Sequence, residues 1–299
     1  THSGICLSCG VNGMKPKLLL NAGINHAATT PFYYTLSIDQ RYCHAGHKKE
    51  LHYLITTEIE WDMYVEKISK LHSYNSDDTK KPPVLNQWKW KLDAFEPPYT
   101  IEKYIQYQLK NWEHIKGDYQ SVADFSNSNA AISEGHLKIV RDKLLEHFDV
   151  KCTIILRDPI RRMYSLCKRN STFLDKLNNP RYDHIKHYQA NLYSDYAGIC
   201  KKWKDVWGDM FMPVIMEEFW EDPSQLSDFL EYPITKLHQN VFYPERGANF
   251  EKIDYLKDQW SVKEEMTEHS LNVAKKKMSH IYQAFFEYFG YIPSAWQSS

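Results

Sequence analysis

Val150-Lys151-Cys152-Thr153-Ile154-Ile155-Leu156-Arg157-Asp158-Pro159-Ile160-Arg161-Arg162-Met163-Tyr164-Ser165 opens as a short apolar run rich in β-branched residues and stops at an arginine. A run of that length and composition, bounded by a break, reads as a buried strand. Asp158-Pro159 ends it, because proline cannot donate to a sheet ladder, and the basic segment behind it opens a helix. Arg157 therefore stands at the carboxyl end of a buried strand, the edge at which open α/β sheets bind ligands. Ser165 follows about two helical turns along. A guanidinium fork with a hydroxyl at such an edge suits a phosphate group.

Similar runs lie on either side. Lys17 to Gly23 reads as a first buried strand, followed by a loop and a helix near Pro31–Leu36 with proline at a favoured early position. Glu50–Ile55 reads as a second short strand, residues 58–72 as an amphipathic helix, and residues 75–83 as a polar loop. Ile101–Ile115 and His136–Phe148 carry helical spacing, with strands at Tyr119–Phe125 and Cys152–Arg157. Downstream come a long helix over Asp183–Trp207, a strand over Phe211–Met216, and a short helix over Pro223–Leu230 capped by Asp222. Residues 240–250 are irregular, and Val262–Phe289 is a long helix ended by Gly290. Strands alternating with helices predict an α/β architecture, a parallel sheet with helices on both faces. No repeat or linker divides the chain. Residues 1–16 read as an extended N-terminal arm and residues 17–299 as a single domain.

The chain's 299 residues suffice for one large α/β domain. With 37 basic and 38 acidic residues the net charge is −1, which argues against a general nucleic-acid binder. No run of about eighteen apolar residues exists, so no transmembrane helix is predicted, and no signal peptide is visible. A soluble, cytoplasmic protein is the expectation; the chain starts at Thr1 without methionine, which is compatible with a removed upstream anchor. Six cysteines in a chain this long do not read as a disulfide framework, and Cys152 and Cys167 read as buried thiols. Cys6-x-x-Cys9 with Cys43, His44 and His47 could supply zinc ligands, but the spacing is unlike the common zinc modules, and no metal is expected. Trp88-Lys89-Trp90-Lys91 could stack on a sugar ring or pack as an amphipathic face. A GxxxxGK[ST] loop is absent, as is GxGxxG.

Two further segments carry chemistry. The first strand runs into Gly23-Ile24-Asn25-His26-Ala27-Ala28-Thr29-Thr30-Pro31-Phe32. Small residues and two threonines at a strand-to-helix turn make an oxyanion cradle from backbone N–H groups and hydroxyls. Ala28 calls for a turn without a positive φ. The next element is Lys48-Lys49-Glu50-Leu51-His52-Tyr53. If extended, Glu50 and His52 face one side, and a carboxylate beside an imidazole suits general-base work on an alcohol or amine.

Arg-Asp-Pro-x-x-Arg-x-x-Ser over Arg157–Ser165 resembles the 3′-phosphate-binding motif of sulfotransferases that use 3′-phosphoadenosine-5′-phosphosulfate (PAPS). Gly23–Thr30 resembles their 5′-phosphosulfate loop, Gly-x-Pro-Lys-x-Gly-Thr-Thr, with His26 in place of the lysine and Ala28 in place of the second glycine. Lys49-Glu50-Leu51-His52 resembles the Lys-Glu-x-His segment of the heparan-type (Golgi-type) and related members. Asp124-Phe125-Ser126-Asn127 resembles their segment of Asp or Glu, any residue, Ser or Thr, then proline, with Asn127 in the proline's place; Ser126 could line the site or cap the next helix. Met216-Glu217-Glu218-Phe219 reads as scaffold, and Pro244-Glu245-Arg246-Gly247 falls where the family has a basic loop over the adenosine and 3′-phosphate.

The resemblance implies a three-layer sandwich with a central parallel sheet, the P-loop-NTPase-like sulfotransferase fold. It implies transfer of a sulfuryl group from PAPS, as co-substrate and without a metal, to a hydroxyl or amine of a small-molecule or glycan acceptor. His26, Ala27, Ala28, Thr29 and Thr30 would hold the 5′-phosphosulfate. Arg157 and Ser165, with Arg246 and Gly247, would hold the 3′-phosphate side. Glu50 would be the base and His52 its neighbour, Lys49 would contact sulfate or acceptor, and His26 would stabilise the leaving oxygen. A nucleotide-binding protein that lost transfer and a small-molecule kinase on a related fold stay open as alternatives.

Overall fold

In the computed structural model, which describes residues 15–24, 27–46, 49–58, 98–167, 195–235 and 267–297, five strands form one sheet. They are β1 (Lys17–Asn21), β2 (Cys43–His44), β3 (Ser121–Asp124), β4 (Asp149–Leu156) and β5 (Phe211–Ile215). Their order is β2-β3-β1-β4-β5, and every neighbouring pair is parallel. β4 lies between β1 and β5 and is buried without interruption from Cys152 to Leu156, as continuous apolar strands of parallel sheets are.

The helices are α1 (Thr29–Tyr34, continued by a π-helical turn, Thr35–Asp39), α2 (Ile101–Ile115), α3 (Glu134–His147), α4 (Pro159–Cys167), α5 (Tyr196–Trp207), α6 (Met216–Glu221), α7 (Ser224–Leu230), α8 (Glu268–Phe289) and α9 (Ser294–Gln297). Side-chain caps fix several starts. Thr100, Ser133, Asp195 and Thr267 accept from the backbone N–H three residues on, satisfying donors the helix leaves free. Gly290 closes α8 at φ 79°, the left-handed stop expected of it. No described helix is long and apolar enough to cross a membrane.

The chain leaves β1 toward β2 and β3 on one side, and leaves β4 toward β5 on the other. The connections therefore part between β1 and β4, the switch point at whose carboxyl ends open α/β sheets carry their ligand crevice. Aromatic packing braces one flank. Phe32 of α1 meets Phe219 edge-on at 5.1 Å between ring centroids and lies 6.0 Å from Phe125, just past β3. Ile160 and Met163 of α4 pack with Ala274, Met278 and Ile281 of α8 in a separate apolar cluster. That cluster anchors the helix that follows Arg157.

Several sequence expectations change. The second strand is Cys43–His44 rather than Glu50–Ile55; His52 turns left-handed at φ 54°, which ends any extended run, and Leu54–Thr57 coils as a 3-10 turn. Met216 opens α6 instead of closing β5. Asp222 acts one turn position earlier than expected, its Oδ1 accepting from Ser224 N–H at 2.9 Å while Pro223 holds the cap position. α5 begins at Tyr196 behind its cap Asp195, and α8 begins at Glu268 behind Thr267; residues 183–194 and 262–266 lie outside the described residues. Cys43, weighed as a zinc ligand, is a buried thiol in β2, and His44 Nδ1 accepts from Gly46 N–H at 3.0 Å. Cys6, Cys9, His47, the 58–72 helix apart from Glu58, and the tryptophans at 88 and 90 lie outside the described residues.

Candidate functional site

The turn after β1 is held from three sides. Asn21 Oδ1 accepts from Gly23 N–H at 2.9 Å, and Asn21 Nδ2 donates to Thr153 Oγ1 on β4 at 3.0 Å. From the β3 side, Asn129 Nδ2 donates to Asn21 O at 3.1 Å. Gly23 sits at φ 100°, and a Cβ there would meet Asn127 O at 2.8 Å, so no other residue fits. Ala28 adopts φ 63°, ψ 32°. This overturns the expectation of a turn free of positive φ: the loop keeps a left-handed step at this position and imposes it on an alanine, at a cost of about 1–2 kcal/mol. Its carbonyl then accepts from Phe32 N–H at 3.2 Å, starting α1. Thr29 is buried and Thr30 half-buried at that start, and Ala27 is buried. Asn25 and His26 lie outside the described residues.

Lys49 reaches this turn. Its Nζ donates to Thr30 Oγ1 at 2.8 Å and to Thr29 Oγ1 at 3.3 Å, and pairs with Glu50 Oε1 at 2.9 Å. Asn127 Nδ2 donates to the same Glu50 oxygen at 3.3 Å. Glu50 Oε2 meets His52 Nε2 at 3.1 Å, and His52 Nδ1 lies 3.0 Å from Ser128 Oγ. Glu50 and His52 do stand side by side, but through the left-handed turn at His52 rather than strand alternation. The His52 side chain is wholly buried, whereas Glu50 keeps 20% of its side-chain surface open. His52 therefore backs Glu50 and does not itself face a substrate.

Behind His52 stands a buried carboxyl. Ser126 Oγ accepts from His52 N–H at 2.7 Å and donates to Asp124 Oδ1, which also accepts from Ser126 N–H at 2.9 Å. Tyr104 OH on α2 donates to Asp124 Oδ2 at 3.1 Å. Burial pushes the Asp124 carboxyl above the usual range, against the pull of its Ser126 and Tyr104 hydrogen bonds. Ser126 is fully buried, so it braces the site instead of lining it. Asp124 belongs to the Asp124–Asn127 segment singled out in the sequence, but Tyr104 and Ser128 carried no signal there, since only the fold brings them behind His52.

Arg157 follows the last residue of β4, next to the turn after β1: Ile155 N–H donates to Gly23 O at 3.2 Å. Its guanidinium is half-buried, and burial lowers its proton affinity while the nearby Glu217 carboxylate opposes that shift. Asp158 caps α4, accepting from Arg161 N–H at 2.7 Å, and is clamped by Tyr282 OH at 3.0 Å. Burial also raises the Asp158 carboxyl. Glu217 accepts from Asp158 N–H at 3.1 Å and from Trp296 Nε1 at 2.9 Å, so the Met216–Phe219 segment is scaffold, as expected. Ser165 is half-buried on α4. Arg246 and Gly247 lie outside the described residues.

No family model matches the sequence, and no curated protein sequence matches it. Among solved structures, a sulfotransferase from Alicyclobacillus acidocaldarius superposes with a TM-score of 0.56 at 17% identity, over 95% of this chain and 99% of that one. This chain has the sulfotransferase fold. The sulfotransferase domain of a Synechococcus olefin synthase aligns over 89% of this chain and 96% of its own, at TM-score 0.42 and 15% identity. A Mycobacterium avium sulfotransferase aligns over 93% and 76%, at TM-score 0.42 and 13% identity. The sulfotransferase fold is P-loop-like, a parallel sheet flanked by helices. In this chain it brings the turn after β1 and Arg157 to adjacent strand ends, with the Lys49–Glu50–His52 group joined to that turn.

Proposed function

We propose that this protein is a PAPS-dependent sulfotransferase, acting on a hydroxyl or amine of a small molecule or glycan from a single domain spanning residues 17–299. One observation carries the reading. The ammonium of Lys49 joins the two threonine hydroxyls of the turn after β1 to the Glu50 carboxylate, on the sheet edge that also carries Arg157. Hydroxyls, an ammonium and a half-buried guanidinium are the donor set that a ligand with two separated anionic groups requires.

PAPS, when bound, supplies a sulfuryl group on a phosphate leaving group. Thr29, Thr30 and the backbone from Ala27 hold the phosphosulfate end, and Arg157 and Ser165 hold the 3′-phosphate, with Arg246 and Gly247 covering it. Glu50 accepts the acceptor's proton as the new O–S or N–S bond forms and the S–O bond to phosphate breaks. Lys49, with His26, neutralises charge gathering on the departing oxygen; fixed charges of this kind stabilise a transition state without reorganising. Catalysis here is positioning plus electrostatics.

Incubation with 35S-labelled PAPS and a panel of phenols, sugars and amines tests the reading. Label reaching an acceptor with the native chain, and about 10²–10⁴-fold more slowly with Glu50→Gln, supports it. Nucleotide binding without transfer to any acceptor identifies a binding protein instead, and magnesium-dependent phosphoryl transfer from ATP identifies a kinase.

A further inference from the structure

Glu50 offers one oxygen to Lys49 and Asn127 and the other to His52, so the direction of its carboxylate depends on where the imidazole stands. A carboxylate only accepts, so the hydrogen in the 3.1 Å contact belongs to His52 Nε2; in the neutral ring Nδ1 then accepts from Ser128 O–H. The imidazole is thus fixed at both nitrogens. Its backbone is fixed too, in a left-handed conformation that a histidine adopts only when its surroundings enforce it. Two bonds from one segment do the enforcing. Ser126 Oγ accepts from His52 N–H at 2.7 Å, and Phe125 N–H donates to Lys49 O at 3.0 Å. Ser126 is in turn locked by Asp124, whose second oxygen is held by Tyr104. Every member of this chain from Tyr104 to His52 is buried to within 1% exposure, so none of them touches a substrate.

We infer that Ser126 and Ser128, backed by Asp124 and Tyr104, are positioning residues that hold His52 in a strained backbone and a single tautomer so that its Nε2–H aims the Glu50 carboxylate. The inference deepens the sulfotransferase reading and rests on it for the identity of the base. A role confined to folding leaves Glu50 unaltered; the positioning role does not. The groups seen in contact with that carboxylate, Lys49 and Asn127 from one side and His52 from the other, with Asp124 behind His52, stay in place in the test.

Ser126→Ala and Ser128→Ala are made separately in the full chain, each also combined with Glu50→Gln. Each single variant lowers kcat with labelled PAPS about ten- to a hundredfold while affinity for 3′,5′-adenosine diphosphate stays within twofold. Combined with Glu50→Gln, neither lowers kcat further, because both act through the same carboxylate. The Glu50 carboxyl, followed by 13C NMR, titrates at higher pH in both serine variants, because a donor to its ionised form is misplaced. Losses that multiply in the Glu50→Gln background, or a Glu50 titration that stays put in both variants while melting temperature falls, overturn the inference. If the native chain transfers no sulfuryl group the sulfotransferase reading fails, and the Glu50 titration alone still decides the positioning role.

Discussion

Lys49 Nζ stands 2.8 Å from Thr30 Oγ1 and 2.9 Å from Glu50 Oε1, so one ammonium is shared between the turn after the first strand and the carboxylate proposed as base. In the proposed mechanism, donor binding and proton abstraction are thereby joined at a single side chain. Lys49→Ala removes a cation bonded to the turn, and a fall in kcat/KM of about 10²–10³-fold is expected, as for loss of one preorganised donor. Lys49→Arg keeps the charge and recovers part of it. Steady-state kinetics with labelled PAPS check both; undiminished turnover in Lys49→Ala removes this lysine from the mechanism.

Arg157 leaves β4 beside the turn that ends at Ala28, the position from which it is proposed to hold the far phosphate of the nucleotide. Arg157→Ala should weaken 3′,5′-adenosine diphosphate by about 2–3 kcal/mol, the loss of a charged hydrogen-bonded pair. Titration calorimetry measures it directly, and equal affinities for the variant and the native chain would refute the assignment.

Ala28 and Gly23 share a left-handed backbone but have opposite prospects under substitution. Ala28→Gly relieves strain of about 1–2 kcal/mol and adds about 0.5–1 kcal/mol of chain entropy cost, leaving a net gain of about 0–1.5 kcal/mol. Gly23→Ala combines the left-handed penalty with a Cβ 2.8 Å from Asn127 O and should cost more than about 2 kcal/mol. Denaturant melts of the two variants should move in opposite directions.

Asp124 gives a pH signature. Its folded carboxyl is raised by burial above that of an unfolded aspartate, about 3.9. Between those two midpoints the folded chain holds more protons, so the stability tied to this group is greatest below about pH 4 and declines as pH rises through the folded midpoint. Asp124→Asn keeps the shape and cannot titrate. The fall in unfolding free energy over that interval should be shallower in the variant; identical slopes would show that Asp124 ionises as it does unfolded.

The strand that ends at Leu156, the helix over Ile101–Ile115 and the parallel sheet were legible in the sequence because each rests on a local pattern, an apolar run or a helical period. The pairing of Glu50 with His52 was legible for the wrong reason. Alternation predicted it, whereas a left-handed histidine makes it, and that conformation is enforced by Ser126, 74 positions away. Ala28 shows the same limit: its side chain argues against the conformation that Asn21, Gly23 and the start of α1 impose around it. Ser126, Ser128 and Glu217 act across chain separations of 59 to 76 residues, which no period or spacing encodes.

The most direct test of the central claim is a crystal structure of the full chain with 3′,5′-adenosine diphosphate. The account predicts the 5′-phosphate at the Thr29 and Thr30 hydroxyls with Lys49 beside it, and the 3′-phosphate within hydrogen-bond reach of Arg157. A nucleotide seated away from the crevice between β1 and β4, or one whose two phosphates touch neither Lys49 nor Arg157, would contradict it.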